Sequence, residues 1–186
     1  YLYNYVNKPW KSQERVSQIL KEMYSNTPDG LSGNEDCGQM SSWYVLSAMG
    51  IYPVTPGLDY YTIGCPRIEK ASINLENGNQ FQIITKGASE EFKYIQSVTL
   101  NGKAFNRSYI YHSEIMDGGT LEFVMMNTPN KSWAAADTEI PISTIEDEVI
   151  VAVPYIDKGD RTFTDSNMLA LKAWDTEAKI YYTIDG

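Results

Sequence analysis

Residues 72–85, SINLENGNQFQIIT, decide how the middle of this chain folds. Ser72 to Leu75 and Gln80 to Thr85 follow a side-chain period of two, and Glu76-Asn77-Gly78-Asn79 between them is a hairpin turn signal. Moving toward the C-terminus, Tyr94 to Leu100 runs into a second such signal at Asn101-Gly102. Tyr109 to Tyr111 and, after Asp117-Gly118-Gly119, Thr120 to Met126 complete the set. Short strands at this spacing predict a small antiparallel sandwich.

N-terminal to Pro56-Gly57 the period is 3.6 instead. Val16, Ile19, Leu20 and Met23 fall on one face of a helix over Pro9 to Tyr24, opened by Pro9. Gly38 to Met49 predicts a second helix, with Met40, Trp43, Tyr44 and Ser47 along one side and Gly50 and Pro53 as its stop. Two helices joined by the turn-rich Thr27 to Gly33 form an αα-hairpin, which needs further helices to cover its apolar faces. Beyond the sheet, Asn127 to Asp147 lacks a period and predicts a linker. Strand candidates resume at Val149 to Val153, Met168 to Trp174 and Lys179 to Ile184, a stretch too short to hold a core alone. The expected class is therefore α+β, with helices in 1–57, a β-sandwich in 58–133, a linker in 134–148 and a truncated β-module in 149–186.

The chain has 186 residues, and 15 Lys and Arg against 24 Asp and Glu give a net charge of −9. That acidity disfavours non-specific nucleic-acid binding. No apolar run reaches the ~18 residues that would span a bilayer. Tyr1 stands at the start without an initiator Met, basic region or apolar signal core, which reads as a fragment of something longer. Cys37 and Cys65 allow at most one disulfide, and the single His112 has no second His beside it, so neither a zinc motif nor triad chemistry is supported.

Chemistry concentrates in Gly33-Asn34-Glu35-Asp36-Cys37-Gly38-Gln39, at the start of the second helix. A helix start offers unpaired N–H groups and partial positive charge, so it favours an ionised, directed carboxylate, as a general base for water must be. Asp36 also has a plainer reading, as an N-cap. Glu35 touches substrate or a neighbouring loop or complements the helix dipole, and Gln39 either reaches the base or a hydroxyl or serves a capping box. Trp43 and Tyr44 read as core rather than as sugar platforms, and Cys37 as a small packed residue.

The run DGLSGNEDCGQMSSWYVLSAMGIYPVTP, Asp29 to Pro56, resembles the signature of glycoside hydrolase family 92, the calcium-dependent α-mannosidases. The resemblance continues through Tyr60-Tyr61-Thr62-Ile63-Gly64, Tyr94-Ile95-Gln96-Ser97, Leu100-Asn101-Gly102-Lys103 and Gly118-Gly119-Thr120-Leu121, covering residues 1–133. It implies that residues 1–57 are the last helices of an (α/α)6 barrel, packed on by the rest of the parent chain. It implies an exo-acting enzyme that releases terminal α-linked mannose, α-1,2 foremost, from glycans with inversion. Asp36 matches the family's general base, and Asn34 stands where some members have Asp; beside that base, Asn34, Glu35 and Gln39 are the candidate substrate contacts. The general acid is a Glu of an earlier segment, and Ca²⁺ is expected on the sugar's O2 and O3, held by ligands mostly upstream of this chain. Oxygen ligands suit that cation. Secretion or a periplasmic location follows from the same likeness.

A weaker likeness links Arg161 to Ser166 and Ile180 to Gly186 with the Ig-like C-terminal module of chitobiases, where Trp174 reads as core. The fragment by itself is expected to be inactive. The competing reading is a non-catalytic carbohydrate-binding or structural β-sandwich, which the aromatic content of 12% fits equally well.

Overall fold

Pro9 supplies the fixed φ that opens helix α1, Pro9–Glu22, and a short 3-10 turn, Leu2–Val6, precedes it. The computed structural model describes residues 1–142, 152–160 and 162–183. The buried face of α1 is rotated from the expected stripe. Val16 and Leu20 enter the core, but so do Ser12, Gln13 and Ser17, while Met23 is exposed. The polar members are satisfied: Ser12 donates to the Tyr1 carbonyl at 3.1 Å, and Gln13 Oε1 accepts the Ile95 N–H at 3.1 Å. Buried polar groups are tolerated on these terms.

Helix α2, Gln39–Met49, ends at Gly50, whose positive φ of 93° is the left-handed stop that glycine allows without strain. Strand β1, Ile51–Tyr52, follows at once, then β2, Tyr60–Ile63. Strands β3, Lys70–Asn74, and β4, Gln80–Lys86, form the hairpin announced by residues 72–85. Strand β5, Tyr94–Leu100, turns at Asn101-Gly102 into β6, Lys103–Ala104. Strand β7, Tyr109–Tyr111, leads into the short helix α3, His112–Met116, and β8, Gly119–Met126.

The strands divide into a three-stranded antiparallel sheet, β1-β2-β7, and a five-stranded sheet, β3-β4-β8-β5-β6. The second sheet corrects the expectation of a purely antiparallel arrangement, because β4 and β8 run parallel from Phe81 opposite Gly119 to Lys86 opposite Val124. Alternation along a strand reports which face is buried, not the direction of its neighbour. Only short-loop pairs have a direction forced by connection length. In β5 a register shift between Ile95 and Ser97 marks a bulge, which lets Ile95 and Val98 share the core despite their odd spacing.

Residues Tyr1–Ser143 make one compact unit. Val16 and Leu20 of α1, Ile51, Ile63 and Ile110 of the smaller sheet, and Phe81, Ile83, Ile95, Leu121 and Phe123 of the larger one share a single hydrophobic cluster. That cluster crosses the expected division at residue 57. It also takes in Trp133 and Ala134, and the segment behind them is pinned rather than a free linker: Glu139 O accepts the Ser108 N–H at 2.8 Å and Asn7 donates to Ala135 O at 2.9 Å. Residues 143–148 of the proposed linker lie outside the described residues.

The second unit, Thr144–Gly186, carries β9, Tyr155–Lys158, paired antiparallel with β10, Ala170–Lys172. Lys172 pairs with Asp157 at 3.0 Å. Trp174 is 79% exposed and tilted against Tyr155, so it is not the core residue expected. The strand candidate at Val149 lies largely outside the described residues, as do Arg161 and Ile184 to Gly186 of the Ig-like pattern. Residues 179–183 form no strand.

Two measurements test this packing. Gln13→Leu keeps the volume but strips the Ile95 N–H of its acceptor, and should lower the unfolding free energy by about 1–3 kcal/mol in urea titration. Burial pushes the Cys65 thiol up to about 12 from its ordinary 9.0, and pushes the Tyr1 and Tyr60 phenols up as well. The unfolded chain therefore loses these protons first, and stability should fall as pH rises from 9 toward 12. In Cys65→Ala the same decline should be shallower.

Candidate active site

The loop between α1 and α2 is built on close backbone contacts. Tyr24 and Leu31 form an isolated β-bridge, Ser25 N–H donates to Gly30 O at 2.9 Å, and Gly30 N–H donates to Thr27 O at 3.0 Å. A side chain at Gly30 would collide with the Ser25 carbonyl, so glycine is required there by close approach. Beneath the loop, the Tyr24 ring stacks on Trp43 at 5.7 Å and tilts against Tyr44 at 4.9 Å. Burial, with the nearby Glu35 carboxylate adding to it, pushes the Tyr24 phenol above its usual range.

Asp36–Gly38 forms one 3-10 turn ahead of α2. Cys37 and Gly38 both have positive φ, 54° and 78°. Glycine adopts that region freely, whereas cysteine is held there at a cost of roughly 1–2 kcal/mol. Such strain persists only where neighbouring contacts impose it, and here Glu35 does. Its carbonyl accepts the Gly38 N–H at 3.2 Å, and its carboxylate accepts the Ser41 N–H at 3.1 and 3.2 Å and the Ser41 hydroxyl at 3.0 Å.

This places the four candidates differently from one another. Glu35 is half-buried and caps the helix, the role the plainer reading gave to Asp36. Asn34, Asp36 and Gln39 are exposed, and Gly38, not Asp36, is the N-cap residue of α2. The partnership of Glu35 with Ser41 was not legible in the sequence. A capping box spans three residues, and this contact spans six because two left-handed residues lengthen the path.

Trp43 is half-buried and packs against the core, as expected, but Tyr44 is 42% exposed and Cys37 is exposed rather than packed. An open groove of about 440 Å³ runs beside the loop, lined by Tyr24, Ser25, Asn26, Leu31, Ser41 and Tyr44 among others. Asp36 does not line it; the groove shares only Ser41 with the Glu35 contact. His112 is exposed and lies 3.2 Å from the Tyr61 hydroxyl, remote in sequence from the loop. Cys37 and Cys65 are both free thiols. Among the described residues, no three His, Cys, Asp or Glu side chains converge on a possible metal position. Ca²⁺ takes six to eight oxygen ligands, amide and backbone carbonyls among them, so clustered carboxylates of the described residues alone would not hold it. No helix among the described residues is long and apolar enough to cross a membrane.

Comparison with known proteins places the chain among the glycosyl hydrolases. It belongs to glycosyl hydrolase family 92, whose catalytic-domain model matches residues 1–127. An uncharacterized secreted glycosidase of Arthroderma benhamiae is 32% identical over 146 residues, 77% of this chain and 19% of that protein. A family GH92 alpha-mannosidase of Bacteroides thetaiotaomicron superposes with a TM-score of 0.73 at 41% identity, over 76% of this chain and 19% of its own, and it has also been solved in complex with mannoimidazole. A family GH92 inverting mannosidase of Bacteroides thetaiotaomicron superposes with a TM-score of 0.72 at 37% identity, over the same shares. The chain thus spans about a fifth of the length of these relatives, 19% of each.

The two thiols give a direct check of the loop's placement. Iodoacetamide at pH 8 should modify Cys37 in the native chain and spare Cys65, with mass spectrometry showing one adduct; denaturation should raise this to two.

Proposed function

We propose that this chain is the base-bearing part of a longer glycosidase that releases terminal α-linked mannose, α-1,2 foremost, from glycans with inversion. Family membership over residues 1–127 supports the reaction class. The observation that carries the residue assignment is that Asp36 is exposed at the entry to α2 while Glu35 takes the capping contact. A carboxylate not spent on a helix cap is available to a water molecule.

In this reading Asp36 removes a proton from water as the water attacks C1 of the sugar. The bond from C1 to the leaving oxygen breaks on the opposite face, and that oxygen takes its proton from an acid outside this chain. The two carboxyl groups then stand about 6.5–9.5 Å apart, leaving room for the water. Asn34 and Gln39, exposed on either side of Asp36, are assigned to sugar hydroxyls. Ca²⁺, held mainly by the rest of the parent protein, would steady O2 and O3 of the mannose. The isolated chain, without the acid and without the rest of the cation's ligands, should be inactive.

The remainder of the parent is proposed to pack on residues 1–57. Helix α2 carries apolar side chains around its circumference, a pattern that normally means enclosure, yet Tyr44 and Val45 stand 42% and 55% exposed. Secretion is proposed from the relative in Arthroderma benhamiae that is named a secreted glycosidase.

The test uses the full-length protein and α-1,2-mannobiose. Asp36→Asn should cut kcat by about 10²–10⁴-fold, the range of a general base, and proton NMR of the first product should show the anomer opposite to the substrate's. Chelation should abolish activity and added Ca²⁺ should restore it. Retention of configuration, or full activity in Asp36→Asn, overturns the assignment.

A further inference from the structure

The strained turn between Glu35 and α2 has no purpose in the packing of the core. All of its residues are exposed or half-buried, and none belongs to the hydrophobic cluster. Yet it is fastened twice. The Glu35 carbonyl closes the turn on Gly38, and the Glu35 carboxylate reaches over Cys37 and Gly38 to the N–H and hydroxyl of Ser41. Asp36 is the residue immediately inside this clamp. Its backbone is held on the other side too, because its carbonyl accepts the Gln39 N–H.

We propose that Glu35 is a positioning residue: its carboxylate, anchored on Ser41, fixes the Asp36-Cys37-Gly38 turn and so the direction of the Asp36 carboxylate. This rests on the assignment of Asp36 as the base, and it gives Glu35 a task in place of the sugar contact expected from the sequence. The chemistry fits the residue. A carboxylate accepting from a backbone N–H and a hydroxyl at once forms charge-assisted bonds, stronger than a neutral acceptor would make. A shorter Asp could not span the same path. The strain at Cys37 is what the clamp offsets, so releasing the clamp lets the turn relax and swings Asp36 off line.

The expected signature separates positioning from binding and from direct catalysis. In the full-length protein, Glu35→Ala should lower kcat at least tenfold, in keeping with the sensitivity of catalysis to displacements near 1 Å. KM for α-1,2-mannobiose should stay within about twofold, since a positioning residue contributes no ground-state binding. The acid limb of the kcat profile against pH should persist, because the titrating base remains Asp36. Glu35→Gln, which keeps a weaker, neutral acceptor for the Ser41 N–H, should recover part of the activity lost in Glu35→Ala. Ser41→Ala, which keeps the N–H contact, should cost only a few-fold. Should Glu35→Ala fail to fold, judged by circular dichroism and thermal melting, the comparison of Glu35→Gln with Ser41→Ala decides the matter.

Unchanged kcat in Glu35→Ala overturns the proposal, as does a rise in KM without a fall in kcat, which marks a sugar contact. Loss of the acid limb in Glu35→Gln overturns it as well, since Glu35 would then be the base. Asp36→Asn is run alongside: full activity there refutes the reading of the base itself, whereas an inactive Asp36→Asn beside a fully active Glu35→Ala refutes the clamp alone.

Discussion

Strand β8 lies between a parallel neighbour, β4, and an antiparallel one, β5, and the rest of the first unit is arranged around that central position. Its inward side chains Leu121, Phe123 and Met125 are matched by Phe81 and Ile83 on β4 and by Ile95 and Val98 on β5. Each such side chain contributes about 1.5–3 kcal/mol by leaving water, so this face dominates the favourable side of the balance. Helix α1 is seated on it by Val16 and Leu20 and by the bond from the Ile95 N–H to Gln13. The smaller sheet closes the same core with Ile51, Ile63 and Ile110.

The loop that carries Asp36 inherits its position from this arrangement. Strand β1 follows α2 after Gly50 alone, and β1 is locked to β2 by the pairing of Ile51 with Ile63. The end of α2 is therefore fixed by the smaller sheet, while its start is fixed by Tyr24 at the end of α1, through the ring stack on Trp43 and the hydroxyl bond to Met40 O at 3.3 Å. Core packing delivers the helix, and the Glu35 contact delivers the turn ahead of it. Two different kinds of force thus set this loop: burial for its platform, and charge-assisted hydrogen bonding for the turn that carries Asp36.

Much of this was legible in advance where the signal is local. Asn-Gly turns at Asn77-Gly78 and Asn101-Gly102 located both hairpins, and Tyr94–Leu100 and Tyr109–Tyr111 match the expected strands residue for residue. The apolar stripe of α1 was misjudged at Met23 because Ser12, Gln13 and Ser17, polar by type, are buried with partners outside the helix: Tyr1 for Ser12, and the distant Ile95 and Arg67 for Gln13 and Ser17. Strands β1 and β2 are short, and β2 pairs with β1 on one side and with β7, about fifty residues further along, on the other, which no local signal marks.

What the amino-acid order determined by itself is the two main helices, the hairpins of the larger sheet and the family: turn residues and apolar periods act over a few positions, and a signature is read residue by residue. Only the tertiary structure decided that β4 and β8 run parallel, that both sheets and α1 share one core, and that Glu35 rather than Asp36 caps α2. The reason is the same in each case. Strand direction, burial of a polar side chain, and the partner of a carboxylate are settled by groups that meet in space after the chain has folded, and no local pattern encodes which groups those are.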